Sequence, residues 1–120
     1  MFSPQILDYF EHPRHAGEIE DPDIVVEWEN PACGDILRLT ARVREGRFAE
    51  VRFRAKGCVA AMACASWLTE QMTGKTRADL SRLRREDLVE ALGGLPAESQ
   101  HASHLAMDAL QTALLDPALR

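Results

Sequence analysis

The chain has 120 residues, enough for one compact domain with one hydrophobic core, and residues 1–120 read as a single domain. Apolar residues make up 46% and charged residues 28%, an ordinary globular balance, and the net charge of −5 argues against general nucleic-acid binding. No apolar run approaches the ~20 residues that span a bilayer, and "MFSPQILDYF" lacks the basic-then-apolar order of a secretory signal, so a cytoplasmic protein with no membrane partner is expected.

Ser3 followed by Pro4 reads as an N-cap and first helical position, and Ile6, Leu7, Tyr9 and Phe10 give a short amphipathic helix that "HPR" stops. "HAGEIEDPD" is a turn-rich linker. Three strand patterns come next. The first places Ile24, Val26 and Trp28 on one face. The second places Leu37, Leu39, Ala41 and Val43 inward and Arg38, Thr40, Arg42 and Arg44 outward. The third places Ala49, Val51, Phe53 and Ala55 inward against Glu50, Arg52, Arg54 and Lys56. Glu45-Gly46-Arg47 is the hairpin turn between the last two. A period of two with one apolar face implies an antiparallel sheet covered on one side only. The arginines of the other face are expected to pair with Glu27, Glu29 and Glu50, and with the aromatics pointing inward no stacking platform for nucleic acid remains.

From Cys58 the period becomes helical. "CVAAMACASWLTEQMTGK" is an alanine-rich helix ended by Gly74, "TRADLSRLRREDLVEALGG" one or two short helices, and Leu95-Pro96 a loop. The last helix places Ala102, Leu105, Ala106, Ala109, Leu110 and Ala113 on one stripe. The predicted fold is α+β: a three-stranded antiparallel sheet with helices packed on one face.

Three cysteines, Cys33, Cys58 and Cys64, are an odd number in a chain that needs no staples, so free thiols are expected. Cys33 and Asp35 leave the tight turn "NPACGD", where Pro31 fixes one dihedral and Gly34 permits an unusual one. Cys58 comes after the third strand and opens a helix, where the dipole favours thiolate. Because the second and third strands form a hairpin, the start of one lies beside the end of the other, and Cys33, Asp35 and Cys58 should meet there. Cys64, six residues on, is about a third of a turn off the face of Cys58 and reads as core. On the last helix His104 points to solvent, whereas His101 in the first turn can reach a neighbouring site. Cys33, Asp35, Cys58 and His101 would together supply four ligands, enough for tetrahedral zinc.

"NPACGD", "KGCVAAMACAS" and "HASHLAMDAL", with the N-terminal "ILDYFEHPRHAGEIEDPD", resemble the U-type, NifU-like iron–sulfur cluster assembly scaffold family over nearly the whole chain, in the family's order and at about its spacing. The resemblance implies that Cys33, Asp35 and Cys58 help to hold a nascent cluster, and that a cysteine desulfurase and acceptor apoproteins are partners. It also implies a third cluster cysteine after the histidine of the last motif, where this chain has Ala102, so His101 becomes the fourth ligand. Cys64 falls where the family has serine and does not replace it. The family's chaperone-recognition loop survives only as Leu95-Pro96 in "LPAES", without its lysine, which weakens the case for chaperone docking.

The expected function is a metal-binding carrier, not an enzyme, that holds iron, a transient iron–sulfur cluster or zinc through Cys33, Asp35, Cys58 and His101. The alternative is a zinc-binding interaction or regulatory module that keeps the fold but no longer builds clusters. A nucleophilic Cys58 with His101 as base is a third reading, which nothing resembling an oxyanion hole supports.

Overall fold

The computed structural model describes residues 2–31 and 34–119. Helix α1 (Pro4–Glu11) begins as the capping signal requires: the Ser3 side chain accepts the Ile6 N–H at 3.0 Å with Pro4 in the first turn. The Ser3 hydroxyl also donates to the Leu92 carbonyl, tying the start of the chain to its C-terminal half.

Strands β1 (Ile24–Glu29), β2 (Ile36–Arg44) and β3 (Arg47–Lys56) form an antiparallel sheet in the order β1-β2-β3. The β2–β3 loop is only Glu45-Gly46. Both residues have positive φ, +52° and +74°, the type I′ geometry that matches strand twist. Just beyond the turn the expected alternation fails. Arg42 pairs with Glu50 and Val43 with Phe48, so Ala49 is the extra residue of a β-bulge. The bulge leaves Ala49 exposed and turns Phe48 into the core, where it is fully buried. A phenyl ring removes far more apolar area from water than a methyl group does, so the bulge that buries Phe48 is favoured over regular pleating that would bury Ala49.

Helices α2 (Val59–Met72) and α5 (Gln100–Leu114) cover the apolar face: α2 lies against β3 and α1, α5 against β1 and β2, and the two helices touch each other. Helix α2 is buried nearly all round, including Ala60, Ala61, Ala63, Cys64 and Ala65, and those small side chains let three neighbours approach it. The predicted stripe of α5 is buried in full. Two short helices, α3 (Arg77–Leu80) and α4 (Arg85–Ala91), and a 3₁₀ turn (Ala97–Ser99) lead into α5.

The opposite face of the sheet is not bare. The segment between α1 and β1 crosses it as a strap. Gly17 N–H donates to the Phe53 carbonyl at 2.8 Å and Phe53 N–H to the His15 carbonyl at 3.0 Å, which closes the outer edge of β3. The chain then passes over β2, where Ile19 is buried and its N–H donates to Thr40 Oγ1 at 3.0 Å, and reaches Ala41 beside β1. The outward arginines hold this strap. Arg38 donates to Glu18 at 2.8 Å and Arg42 to the carbonyls of Glu20 and Asp21, while Arg54 pairs with Glu18 at 3.7 Å. Glu27 and Glu50 pair with arginines as expected, and Glu18 from the strap joins them. Thr40, predicted to face water, is therefore buried.

The strap sets an energetic expectation. Thr40→Val keeps the side-chain shape but leaves the buried Ile19 N–H without an acceptor, and urea denaturation should show a loss of about 1–3 kcal/mol. Arg54→Ala, which removes one exposed ion pair, should cost less than ~1 kcal/mol. Equal midpoints for the parent and Thr40→Val would mean that the Ile19–Thr40 hydrogen bond contributes nothing to the folded state.

Candidate metal centre

The strand register assembles the site. Glu29 pairs with Ile36 and Ile36 with Lys56, so the first residue of β2 lies between the last residues of β1 and β3. Asp35 immediately precedes β2, and Gly57-Cys58 come directly after β3. The β1–β2 turn is closed by Asn30 N–H to the Asp35 carbonyl at 2.8 Å and Gly34 N–H to the Asn30 carbonyl at 2.7 Å. Gly34 holds a φ of +76° there, as the turn requires of a glycine. Cys58 is the N-cap of α2, with its Sγ accepting the Ala61 N–H at 3.4 Å. The first turn of α5 supplies His101.

Three of the four predicted ligands thus converge: Asp35, Cys58 and His101 have donor atoms within 4.8 Å of one another. Cys33 lies outside the described residues. His101 Nε2 is 3.0 Å from Asp35 Oδ2 and 3.8 Å from Cys58 Sγ, and Cys58 Sγ is 3.7 Å from the same Asp35 oxygen. Metal bonds of ~2.0–2.1 Å to nitrogen or oxygen and ~2.3 Å to sulfur give a tetrahedral face with edges of roughly 3.3–3.6 Å. The observed triangle brackets those lengths, so a small divalent ion fits it with shifts of a few tenths of an ångström. One oxygen, one nitrogen and one sulfur form a mixed donor set suited to zinc or iron and poorly suited to magnesium or calcium. The side chains of Asp35 and His101 are 7% and 30% exposed, so the cluster is sheltered on the carboxylate side and open at the imidazole.

The electrostatics of Cys58 differ from the sequence expectation. Burial pushes its thiol above the ordinary value, and the neighbouring Asp35 carboxylate adds to the rise. The Ala61 N–H at the helix start pulls the other way, as the helix dipole predicts, and is outweighed. In the metal-free protein Cys58 is held as a thiol, and a bound cation would reverse the sign of the local field.

Cys64, expected in the core, is fully buried, its thiol pushed up to about 12 by that burial. His104 is exposed, as expected, but it lies on the groove side of α5 with His101 and not opposite it. Ala102 is 1% exposed and belongs to the apolar core beneath His101. Trp28, expected inward, is 39% exposed: at the rim of the sheet its indole N–H donates to Thr112 on α5 at 2.8 Å. Between that indole and α5 runs a groove of roughly 380 Å³ with His101 and His104 on its α5 wall.

Two features of the site carry no signal in the sequence. Arg85 on α4 donates to Gln100 at 3.1 Å and Ser103 at 3.3 Å, and Gln100 donates to the Leu95 carbonyl at 2.9 Å, so the turn of α5 bearing His101 is tied down from outside its own helix. Gly57 abuts Asp35, a contact that only the folded chain creates.

The thiol environments give a direct expectation. In a Cys33→Ser background, iodoacetamide should label native protein at Cys58 and spare Cys64. Because the Cys58 thiol is raised, its rate should reach half-maximum above pH ~8.5, the midpoint of a free cysteine. Asp35→Asn removes a negative charge beside it and should move that midpoint down. An unmoved midpoint would mean that the carboxylate does not act on the thiol.

Residues 1–118 match the family described as NifU-like N terminal domain. The chain is 41% identical over 116 residues to "Iron-sulfur cluster assembly scaffold protein IscU 1" of Archaeoglobus fulgidus, covering 97% of this chain and 76% of that protein. It is 35% identical over 119 residues to the scaffold protein IscU of Azotobacter vinelandii, covering 96% and 92%. Among solved structures, the fold resembles that of a SUF-system iron–sulfur scaffold candidate from Fervidobacterium islandicum, with a TM-score of 0.79 at 22% identity over 94% of this chain and 96% of that one. A NifU-like N-terminal domain from Brucella abortus gives a TM-score of 0.75 at 20% identity, over 93% and 90%. With a family match over nearly its full length and relatives aligned across almost all of it, this chain belongs to the NifU-like N-terminal domain family, the U-type scaffolds.

Proposed function

We propose that this protein is an iron–sulfur cluster assembly scaffold whose cargo is iron or a transient iron–sulfur cluster. Asp35, Cys58 and His101 hold it, and Cys33, two residues before Asp35 in the sequence, is the fourth ligand. The observation that carries this reading is the O, N, S triangle at the end of the sheet, with edges of 3.0–3.8 Å. The role needs binding that is firm enough to build on and loose enough to release. A single carboxylate among softer donors, with imidazole at the open edge, supplies weak, exchangeable bonds beside the two strong thiolates of Cys33 and Cys58. On this reading a cysteine desulfurase donates sulfur and apoproteins accept the product.

A second reading is favoured by one residue. Ala102 presents a methyl group to the core and no donor, so a cluster here has one soft ligand fewer than the family pattern implies. Zinc needs neither sulfide nor a change of redox state, and a zinc-holding module is the function left if clusters do not form.

Anaerobic reconstitution with ferrous iron and sulfide separates the two. Visible charge-transfer absorption supports the scaffold, colourless protein that retains zinc supports the module, and protein that binds neither metal eliminates both. Asp35→Ala, Cys58→Ser and His101→Ala should each weaken Zn²⁺ binding by at least ~10-fold in competition with a chromophoric chelator. Cys64→Ser and His104→Ala should leave it unchanged. Since the thiol must lose a proton to bind, and its proton is held more tightly than usual, apparent affinity should rise as pH rises through roughly 7 to 9. Ala102→Cys should give a longer-lived cluster than the parent or than Ala102→Ser; equal lifetimes in all three would show that position 102 has no bearing on cluster retention.

A further inference from the structure

Gly57 joins β3 to the N-cap of α2, with a φ of +153° that disfavours any side chain. A Cβ built on it would lie 2.2 Å from Asp35 Oδ1, 2.5 Å from Cγ and 3.0 Å from Cβ. The carboxylate cannot give way cheaply. Its side chain is 7% exposed, and its other oxygen faces His101 Nε2 at 3.0 Å and Cys58 Sγ at 3.7 Å. The two oxygens therefore have different surroundings: Oδ1 rests against the bare Cα of Gly57, and Oδ2 points into the donor triangle.

We infer that Gly57 is a positioning residue of this centre: its missing side chain forms the slot that seats Asp35 and presents a single carboxylate oxygen to the ion. This rests on the metal-binding reading above. A carboxylate free to rotate could bind through both oxygens or swing towards solvent. Seated against Gly57, it offers one oxygen at the distance from sulfur and nitrogen that a tetrahedral ion needs. A methyl group at position 57 fills the slot. Asp35 must then leave the triangle, or the peptide carrying Cys58 must rotate, and either movement breaks the donor set while leaving every ligand in the sequence.

The test is a double-mutant cycle of Gly57→Ala and Asp35→Ala, read by Zn²⁺ affinity and by the ¹⁵N resonances of the His101 ring in metal-free protein. Gly57→Ala should weaken Zn²⁺ binding roughly 10–100-fold, the range for losing a group that orients a ligand, and should match Asp35→Ala to within about threefold. The double variant should be no weaker than Asp35→Ala alone, because with the carboxylate gone there is nothing left to displace. The His101 ring signals should move in Gly57→Ala in the direction that Asp35→Ala moves them. Parental affinity in Gly57→Ala, or losses that multiply in the double variant, would overturn the inference. Backbone strain at φ +153° acts with or without Asp35, so it lowers the melting temperature in both backgrounds, whereas the clash acts only where Asp35 is present. Should Gly57→Ala fail to fold, a folded double variant supports the inference and an unfolded one overturns it. If the parent itself binds no Zn²⁺, the metal reading fails, and the ring resonances alone decide whether Gly57 seats Asp35.

Discussion

The pairing register of β2 is the constraint on which the rest of the molecule depends. Ile36 lies opposite both Glu29 and Lys56, so the residues just outside those ladder ends, Asp35 and Gly57-Cys58, have no choice but to be neighbours. A slip of one residue would displace Asp35 by ~3.3 Å relative to Cys58, about the whole edge of a tetrahedral metal site, and would turn every inward side chain of the strand to the wrong face. The buried run Leu37, Leu39 and Ala41 opposes that slip. Core burial and the spacing of Asp35 from Cys58 are thus set by the same hydrogen-bond ladder, which is why the donor triangle can be held on a sheet rim instead of inside a cavity.

The second element of the site arrives from a different direction. Helix α5 reaches the sheet end only because α2 is narrow enough, with alanine at positions 60, 61, 63 and 65, for both helices to share one sheet face. Its first turn is then fixed from outside by Arg85 through Gln100 and Ser103. His101 sits where the stripe of α5 meets its exposed side, so the ring touches Asp35 at one edge and lines a solvent groove at another. A side chain in that position can be approached by an incoming molecule without opening the core.

The charged face of the sheet serves the fold. Arg38, Arg42, Arg52 and Arg54 look like a surface for an anionic partner when read along the strands, and in the folded chain they bind the strap's carbonyls and carboxylates. Each exposed ion pair is worth little by itself. Together they hold a segment with few apolar anchors, Ile19 foremost, across the outer face, and they close the edge of β3 that would otherwise be open to pairing with another chain.

Periodicity and short-range chemistry are the properties that the sequence determined by itself. The alternation of Leu37, Leu39 and Ala41, the positive-φ turn at Glu45-Gly46, the caps at Ser3 and Cys58 and the stripe of α5 are local properties of the chain. They were enough to place Asp35 and Cys58 at one sheet end, and to separate His101, which faces the site, from His104, which faces water. Tertiary structure decided whatever depends on competition between distant groups. Ala49 and Phe48 exchanged faces because the core gains more from a phenyl ring than from a methyl group, a comparison that alternation cannot make. Thr40 was buried by a strap that ordinary linker composition gave no reason to expect on that face. The Cys58 proton was settled by burial and by a carboxylate 23 residues earlier in the chain, against the pull of its own helix. Gly57 acquired its role from an atom of Asp35 that strand pairing brings to 2.2 Å from where its side chain would be. In each case the deciding energy lies between groups brought together only by folding, and no pattern read along the sequence contains it.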